Sequence, residues 1–120
     1  MISRREASRP VAESDGGVSI SVGPNANGAA VIVRGELDIE SATHLRTVLL
    51  QAMEACGEGA ALTLDLSQVE FCDSSGLNVL LRARQRALSE HRSLVITAAS
   101  PQMTRLLEIT GSAQLFAGEG

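Results

Sequence analysis

The sequence contains no tryptophan, no tyrosine and no lysine, and it has only two phenylalanines. Leu, Val, Ile and Ala must therefore fill the core of its fold. Proteins that bind single-stranded nucleic acids use aromatic side chains as stacking platforms, which this chain lacks. Its net charge of −4 also argues against binding a phosphate backbone, since that requires clustered Lys and Arg. We expect no direct nucleic-acid partner.

Long apolar runs and metal-binding cysteine motifs are missing too. No run approaches the roughly 20 apolar residues of a membrane-spanning helix, and the first residues, MISRREASRP, lack the apolar middle of a signal peptide. We expect no membrane insertion and a cytoplasmic location. Cys56 and Cys72 have neither CxxC spacing nor a neighbouring histidine, so we expect buried free thiols and no zinc site. A redox role for the two cysteines stays open.

A chain of 120 residues fits one domain with one core. Residues 1–15 mix charged, polar and proline residues with little periodicity and are predicted to be a mobile N-terminal tail. The folded domain is expected over residues 16–120. It begins with two apolar segments, GVSISVG and AAVIVRGEL, whose intervening PNANG supplies turn residues. This pattern predicts a β-hairpin with a buried second strand.

From Ser41 onwards the apolar period changes to three and four residues, which predicts an amphipathic helix with Ser41 as N-cap and Gly57 as its stop. The alternating segment ALTLDLS predicts a strand, followed by a loop, QVEFCD. A second helix is expected beyond Gly76 and a strand at SLVITAA. Ser100 and Pro101 then suit the start of a third helix. The tail, SAQLFAG, is a candidate edge strand.

This order predicts an α/β fold. Two strand–helix–strand units should be right-handed crossovers with parallel strands. Together with the hairpin they give a single mixed sheet of four to five strands with packed helices.

Functional groups of such a sheet gather at the carboxyl ends of the strands. If the second and third strands are neighbours, Asp38 and Asp73 share one rim with Ser74 and Ser75. A nucleophilic serine is disfavoured because CDSSG is not the G-x-S-x-G elbow and no histidine base is placed nearby. A second hypothesis is that Asp38 and Asp73 are paired carboxylates that bind Mg²⁺ or act as acid and base. Two acids that cap helices or turns are the favoured interpretation.

A serine modified by another protein is the remaining reading. A phosphate on Ser74 would lie at a helix N-terminus, where unpaired N–H groups and the helix dipole favour an anion. It would also add roughly −1.5 to −2 charge beside Asp73, enough to weaken binding to an acidic or apolar partner face. Ordinary N-capping by Asp73, Ser74 and Ser75 is the plainer alternative.

The segment LTLDLSQVEFCDSSGL, preceded by GELDIESA and followed by PQMTRLLEITG, resembles the STAS domain of bacterial anti-sigma factor antagonists. The resemblance runs from Val18 to Phe116 and implies the STAS fold. It implies a regulatory protein, not an enzyme, that needs no cofactor or metal of its own.

By this resemblance, Ser74 is the serine phosphorylated by a partner that is both anti-sigma factor and serine kinase. The unphosphorylated chain would bind that kinase and free a sigma factor, and a metal-dependent serine phosphatase would reverse the modification. ATP and Mg²⁺ belong to the kinase. Asp38 matches the acid of the family's GELD element, while Asp73, Ser75 and Gly76 match its signature around the serine, so these residues are expected to bind the partner.

Three positions depart from the family pattern. Asn78 replaces a second glycine and is expected to reshape the partner-binding surface, Cys72 replaces a larger apolar residue, and Ser112 stands where leucine is common, which leaves docking of the C-terminal tail open. The alternative function is a structural STAS subunit bound to an ATPase of a lipid-transport complex.

Overall fold

The computed structural model describes residues 11–15, 17–57 and 59–116. Within these ranges the strands and helices confirm the α/β class, with a hairpin followed by two strand–helix–strand units. In chain order the elements are β1 (Val11–Asp15), β2 (Val18–Asn25), β3 (Gly28–Leu37), α1 (Ile39–Ala55), β4 (Ala61–Cys72), α2 (Ser74–Ser89), β5 (Ser93–Ala99), α3 (Pro101–Ile109) and a short 3-10 helix (Ala113–Phe116).

The strands form one mixed sheet whose spatial order is the chain order. β1, β2 and β3 pair antiparallel, while β3, β4 and β5 pair parallel. Helices α1 and α2 are the crossovers of the two parallel pairs. The carboxyl ends of β3 and β4 therefore lie side by side, as the predicted candidate site requires.

The core collects alternate strand residues and the apolar faces of all three helices. Leu62, Leu64 and Leu66 of β4 are completely buried, as the alternation in ALTLDLS predicts. Phe116 of the 3-10 helix is also buried in this core, so the C-terminal segment docks despite the serine at position 112. Among the described residues, no helix is long and apolar enough to cross a membrane.

The fifth strand of the sheet comes from the N-terminal end of the described chain, whereas the sequence predicted a short edge strand at the C-terminal end. Val11–Asp15, assigned above to the tail, pairs with Val18–Val22 as β1, whereas the segment expected as an edge strand forms the 3-10 helix. Pairing with β2 stabilises a segment that has no strand-like apolar alternation of its own. Residues 1–10 of the predicted tail lie outside the described residues.

The other two corrections concern element boundaries. Most of the predicted loop, QVEFCD, is strand, because β4 runs to Cys72 with irregularities in its register with β3. These irregularities break the alternation of buried residues, which hides the strand in the sequence. Helix α1 begins at Ile39 with Asp38 as N-cap, and Ser41 is its third residue.

Candidate functional site

The two predicted acidic loops meet at one edge of the sheet. Leu37 and Cys72, the last residues of β3 and β4, are register partners, and the amide of Asp73 donates to the Leu37 carbonyl at 3.1 Å. Asp38 and Asp73 directly follow them and open α1 and α2. This juxtaposition confirms that both acids share one rim with Ser74 and Ser75. Residues 37–39 and 71–75 are called the serine edge below.

Asp38 is bound by the first turn of α1. Its Oδ1 accepts hydrogen bonds from the amides of Glu40 and Ser41 at 3.0 and 3.1 Å, while the Asp38 amide donates to Ser41 Oγ at 2.9 Å. This reciprocal arrangement is a capping box. The Ser41 amide, with smaller contributions from its hydroxyl and the Glu40 amide, holds the pKa of Asp38 below its ordinary value. The Asp38 carboxylate thus caps the N-terminus of α1.

Asp73 performs the same task for α2. Its Oδ1 accepts from the amides of Ser75 at 2.9 Å and Gly76 at 3.3 Å, and its carbonyl accepts from Leu77 at 3.1 Å. These amides are the groups a helix N-terminus offers to an anion. The prediction that such groups are unpaired is wrong for Ser75 and Gly76, because Asp73 already occupies them.

The two serines are not equivalent. Ser74 is the first residue of α2 and its side chain is exposed, whereas Ser75 is half-buried. Over the described part of the chain, neither hydroxyl makes a hydrogen bond. Capping by Asp73 alone therefore leaves the Ser74 hydroxyl available to another molecule.

Gly76 is required by a close approach between α2 and β3. A Cβ at this position would lie 2.9 Å from both Leu37 Cβ and Cys72 Sγ, closer than side chains normally pack. Gly76 itself is buried, and the next residue, Leu77, anchors the helix in the core. These two residues thus hold the first turn of α2, and Ser74 with it, against the end of β3.

Three further side chains are exposed near the serines. Asn78 is exposed one helical turn beyond Ser74, so a partner can reach it. Ile39 is 73% exposed and Phe71 is 49% exposed, although both are large and apolar. Sequence reasoning missed these two as site residues because an apolar residue beside a helix start or within a strand predicts burial. The sequence pattern therefore did not predict that these two side chains are exposed.

Thiol ionisation and metal binding are the two other kinds of chemistry considered for these residues. Burial, followed by the charge of Asp73, raises the pKa of the Cys72 thiol to about 12, so this thiol stays protonated. Cys56 and Cys72 are both free and half-buried. The described residues contain no group of three or more His, Cys, Asp or Glu side chains that could hold a metal ion.

His91 is too far from Ser74 to act as its catalytic base in the described structure. His91 follows the far end of α2, about 24 Å along the helix at 1.5 Å per residue. His44 lies within α1 with a half-buried side chain. The loop also retains CDSSG where the hydrolase elbow needs G-x-S-x-G.

Comparison with known proteins gives one consistent grouping. A family model described as "Mlab, STAS domain" matches residues 20–117. The anti-sigma-B factor antagonist of Bacillus subtilis (strain 168) is 33% identical over 94 residues, which cover 78% of this chain and 84% of the relative.

Solved structures agree with these relatives. An anti-sigma factor antagonist from Mycobacterium paratuberculosis has a TM-score of 0.72 and 27% identity, and the match covers 82% of each chain. The anti-sigma factor antagonist SpoIIAA in its unphosphorylated form has a TM-score of 0.64 and 17% identity, covering 84% of this chain and 87% of that one. At that identity, the second likeness concerns the fold alone.

Proposed function

Because the chain belongs to the STAS domain family of anti-sigma factor antagonists, we propose that its unphosphorylated form binds an anti-sigma factor that is also a serine kinase. Binding frees a sigma factor. Phosphorylation of Ser74 by that kinase releases the chain, and a metal-dependent serine phosphatase restores it. ATP and Mg²⁺ act in the kinase, the chain itself is not an enzyme, and the exchange takes place in the cytoplasm.

The observation that carries this proposal is the state of the Ser74 hydroxyl. It is exposed on the first residue of α2 and makes no hydrogen bond to any other described residue. A serine used for capping would instead bind the amides that follow it, and Asp73 holds those amides. Ser74 is therefore dispensable for the helix and accessible to a kinase.

The surroundings of Ser74 explain how a phosphate would act as a switch. It would add roughly −1.5 to −2 charge next to Asp73, whose carboxylate already uses the amides of Ser75 and Gly76. The amides of Ser75 and Gly76 are therefore not available to pair with the phosphate. A partner face that packs on Ser74 would have to bury this charge or pair it, which is costly in free energy.

The contact surface for the kinase is the serine edge together with Asn78. Ile39 and Phe71 supply exposed apolar area of the kind that anchors protein interfaces. Asp38, Asp73 and Ser75 shape the edge and offer it polar groups, while Gly76 lets α2 approach β3. Exposed Asn78 extends the surface along α2.

The first test is the intact mass of the chain purified from its native cells, with fragmentation to locate any phosphate. A single phosphate on Ser74 is expected, and the kinase is then identified as the protein that binds the unphosphorylated chain and adds it. Unmodified chain through growth and stress, held in a complex with an ATPase, would instead favour the structural subunit of a lipid-transport complex.

Three forms then test the switch against this kinase. Ser74→Ala should bind as tightly as the unphosphorylated wild type and accept no phosphate, whereas Ser74→Asp should bind at least tenfold more weakly. Ser75→Ala should still be phosphorylated, which tests that the modified hydroxyl is that of Ser74, because the Ser75 backbone amide still binds Asp73 in this variant. Equal affinity of all the forms in calorimetry would rule out the proposed switch.

A further inference from the structure

A groove between α1 and α2 is lined by three arginines, of which Arg46 and Arg82 have no partner among the described residues. The two helices pack side by side and leave a groove of about 180 Å³ between them. It is called the arginine groove here and is lined by Arg46 and Leu50 of α1 and by Val79, Arg82, Ala83 and Arg86 of α2. Three arginines and three apolar residues thus line the same groove.

The three arginines differ in their partners. Arg86 pairs with Glu90, four residues later on the same helix, at 2.7 Å. Arg46 and Arg82 are exposed and make no ion pair or hydrogen bond with any other described residue. Guanidinium groups bind carboxylates with two parallel hydrogen bonds, and apolar surface beside them favours a protein segment over a free ion. The groove therefore has the chemistry to bind an acidic peptide segment.

Helix geometry joins this groove to the serine edge. Ser74, Asn78 and Arg82 follow one another at intervals of four residues, so they form one exposed stripe of α2. Arg82 lies about 12 Å along the helix axis from Ser74, at 1.5 Å per residue. On α1, Ile39 and Arg46 are seven residues apart and lie on one face in the same way. A partner that binds over Ser74 and Ile39 therefore also reaches the arginine groove, which adjoins them on the same two helices.

We propose that the arginine groove docks an acidic segment of the same protein partner that contacts Ser74. This inference rests on the proposed function and adds the chemistry of the partner. Nucleic acid and anionic membranes fit less well, because the chain as a whole has a net charge of −4 and would repel an extended anionic surface. A local acidic segment needs only the two free guanidinium groups.

The groove and the serine then have separate tasks. At physiological ionic strength charges are screened over about 8 Å, so a phosphate on Ser74 is largely screened from Arg82, about 12 Å away. The groove keeps its positive charge in both states and speeds encounter with the acidic segment. Phosphorylation acts on the packed contacts at the serine edge.

A defined acidic probe tests the groove without the kinase. Fluorescein-labelled octaglutamate is titrated into the isotope-labelled full chain at low salt, and amide shifts are followed by NMR. Saturable shifts are expected around the groove, and Arg82→Glu and Arg46→Glu should each weaken binding at least tenfold. Arg105→Glu is the matched control, because it makes the same charge change at an exposed site on α3, and it should change affinity less than twofold.

The outcomes separate this proposal from the proposed function. Absence of saturable octaglutamate binding, or equal loss in Arg105→Glu, overturns the groove. With the kinase, Arg82→Glu should lower affinity at least tenfold, whereas equal binding by Arg82→Glu and wild type overturns the docking role and leaves the Ser74 switch standing. If wild type binds octaglutamate but no kinase, the proposed function fails alone. Tight binding to RNA or phosphatidylglycerol vesicles that Arg82→Glu abolishes would overturn the acidic partner.

Discussion

At the residue scale, Asp73 determines what a modification of Ser74 would meet. A carboxylate that accepts the amides of Ser75 and Gly76 stabilises the start of α2 and at the same time removes the groups that would absorb a phosphate. An exposed serine beside such a cap is thus structurally free but electrostatically sensitive. The same residue type at position 41 is fully buried and bonded to Glu36 and Asp38, so its role is confined to the fold.

Gly76 gives the first residue-scale prediction. Gly76→Ala should lower the free energy of unfolding by about 1–3 kcal/mol, because the new methyl group overlaps Leu37 and Cys72. The higher helix propensity of alanine returns at most about 1 kcal/mol. Urea unfolding measures the difference. Gly57→Ala is the control, since nothing lies within 4 Å of its added Cβ, and a comparable loss in both variants would contradict the packing argument.

The capping carboxylate of Asp38 gives the second residue-scale prediction, which concerns how stability depends on pH. Its pKa is lowered in the folded protein, chiefly by the Ser41 amide, so the unfolded chain takes up this proton first as pH falls. The stabilisation is therefore present above the unfolded pKa of about 3.9 and is lost as pH falls through the lower folded value.

Asparagine caps helices about as well as aspartate but does not titrate. Asp38→Asn should therefore keep its stability near neutral pH and lose less of it between about pH 5 and pH 2. Part of the acid dependence should persist, because the Ser67 hydroxyl and amide also lower the pKa of Asp65. Urea unfolding at a series of pH values measures both slopes, and coincident acid limbs for wild type and variant would show that Asp38 is not responsible.

At the element scale, the sequence predicted the elements whose signals are local. Period two in GVSISVG and ALTLDLS and the Ser100–Pro101 pair mark β2, β4 and the start of α3 where the structure has them. The pairing of β3 with β4 followed from their parallel order, which brought Asp38 and Asp73 together. The acidic rim of the site was therefore predictable without coordinates.

The errors arose where tertiary contacts override the local pattern. β4 continues through QVEFC because it still pairs with β3, although register irregularities disrupt its alternation. β1 exists because β2 offers an edge, a condition that its own residues do not encode. At α1, both Asp38 and Ser41 suit an N-cap, and only the hydrogen bonds show that Ser41 is the second half of the capping box. The exposure of Ile39 and Phe71 was also missed, because apolar residues at a helix start or within a strand predict burial.

At the scale of the whole molecule, a switch by phosphorylation differs from a change of fold. Ser74 is outside the core, and the buried residues that hold α2, among them Leu77 and Leu80, point away from solvent. The helix dipole favours a phosphate at the first residue by about 0.3–1 kcal/mol, while the neighbouring Asp73 disfavours it. These opposed contributions are small beside a core that joins all three helices to the sheet.

We therefore expect the chain with phosphoserine installed at position 74 to keep its fold and nearly its stability. Its unfolding free energy should change by less than about 1 kcal/mol, since the dipole and the repulsion from Asp73 largely cancel. Amide shifts in NMR should be confined to the serine edge and the first turn of α2. Asp73→Asn, which removes the like charge but keeps a capping group, should make the phosphorylated form the more stable of the two. Perturbed hydrogen exchange in β5 or α3 on phosphorylation would mean instead that the modification acts by remodelling the domain, and release of the partner would then need no charge at the interface.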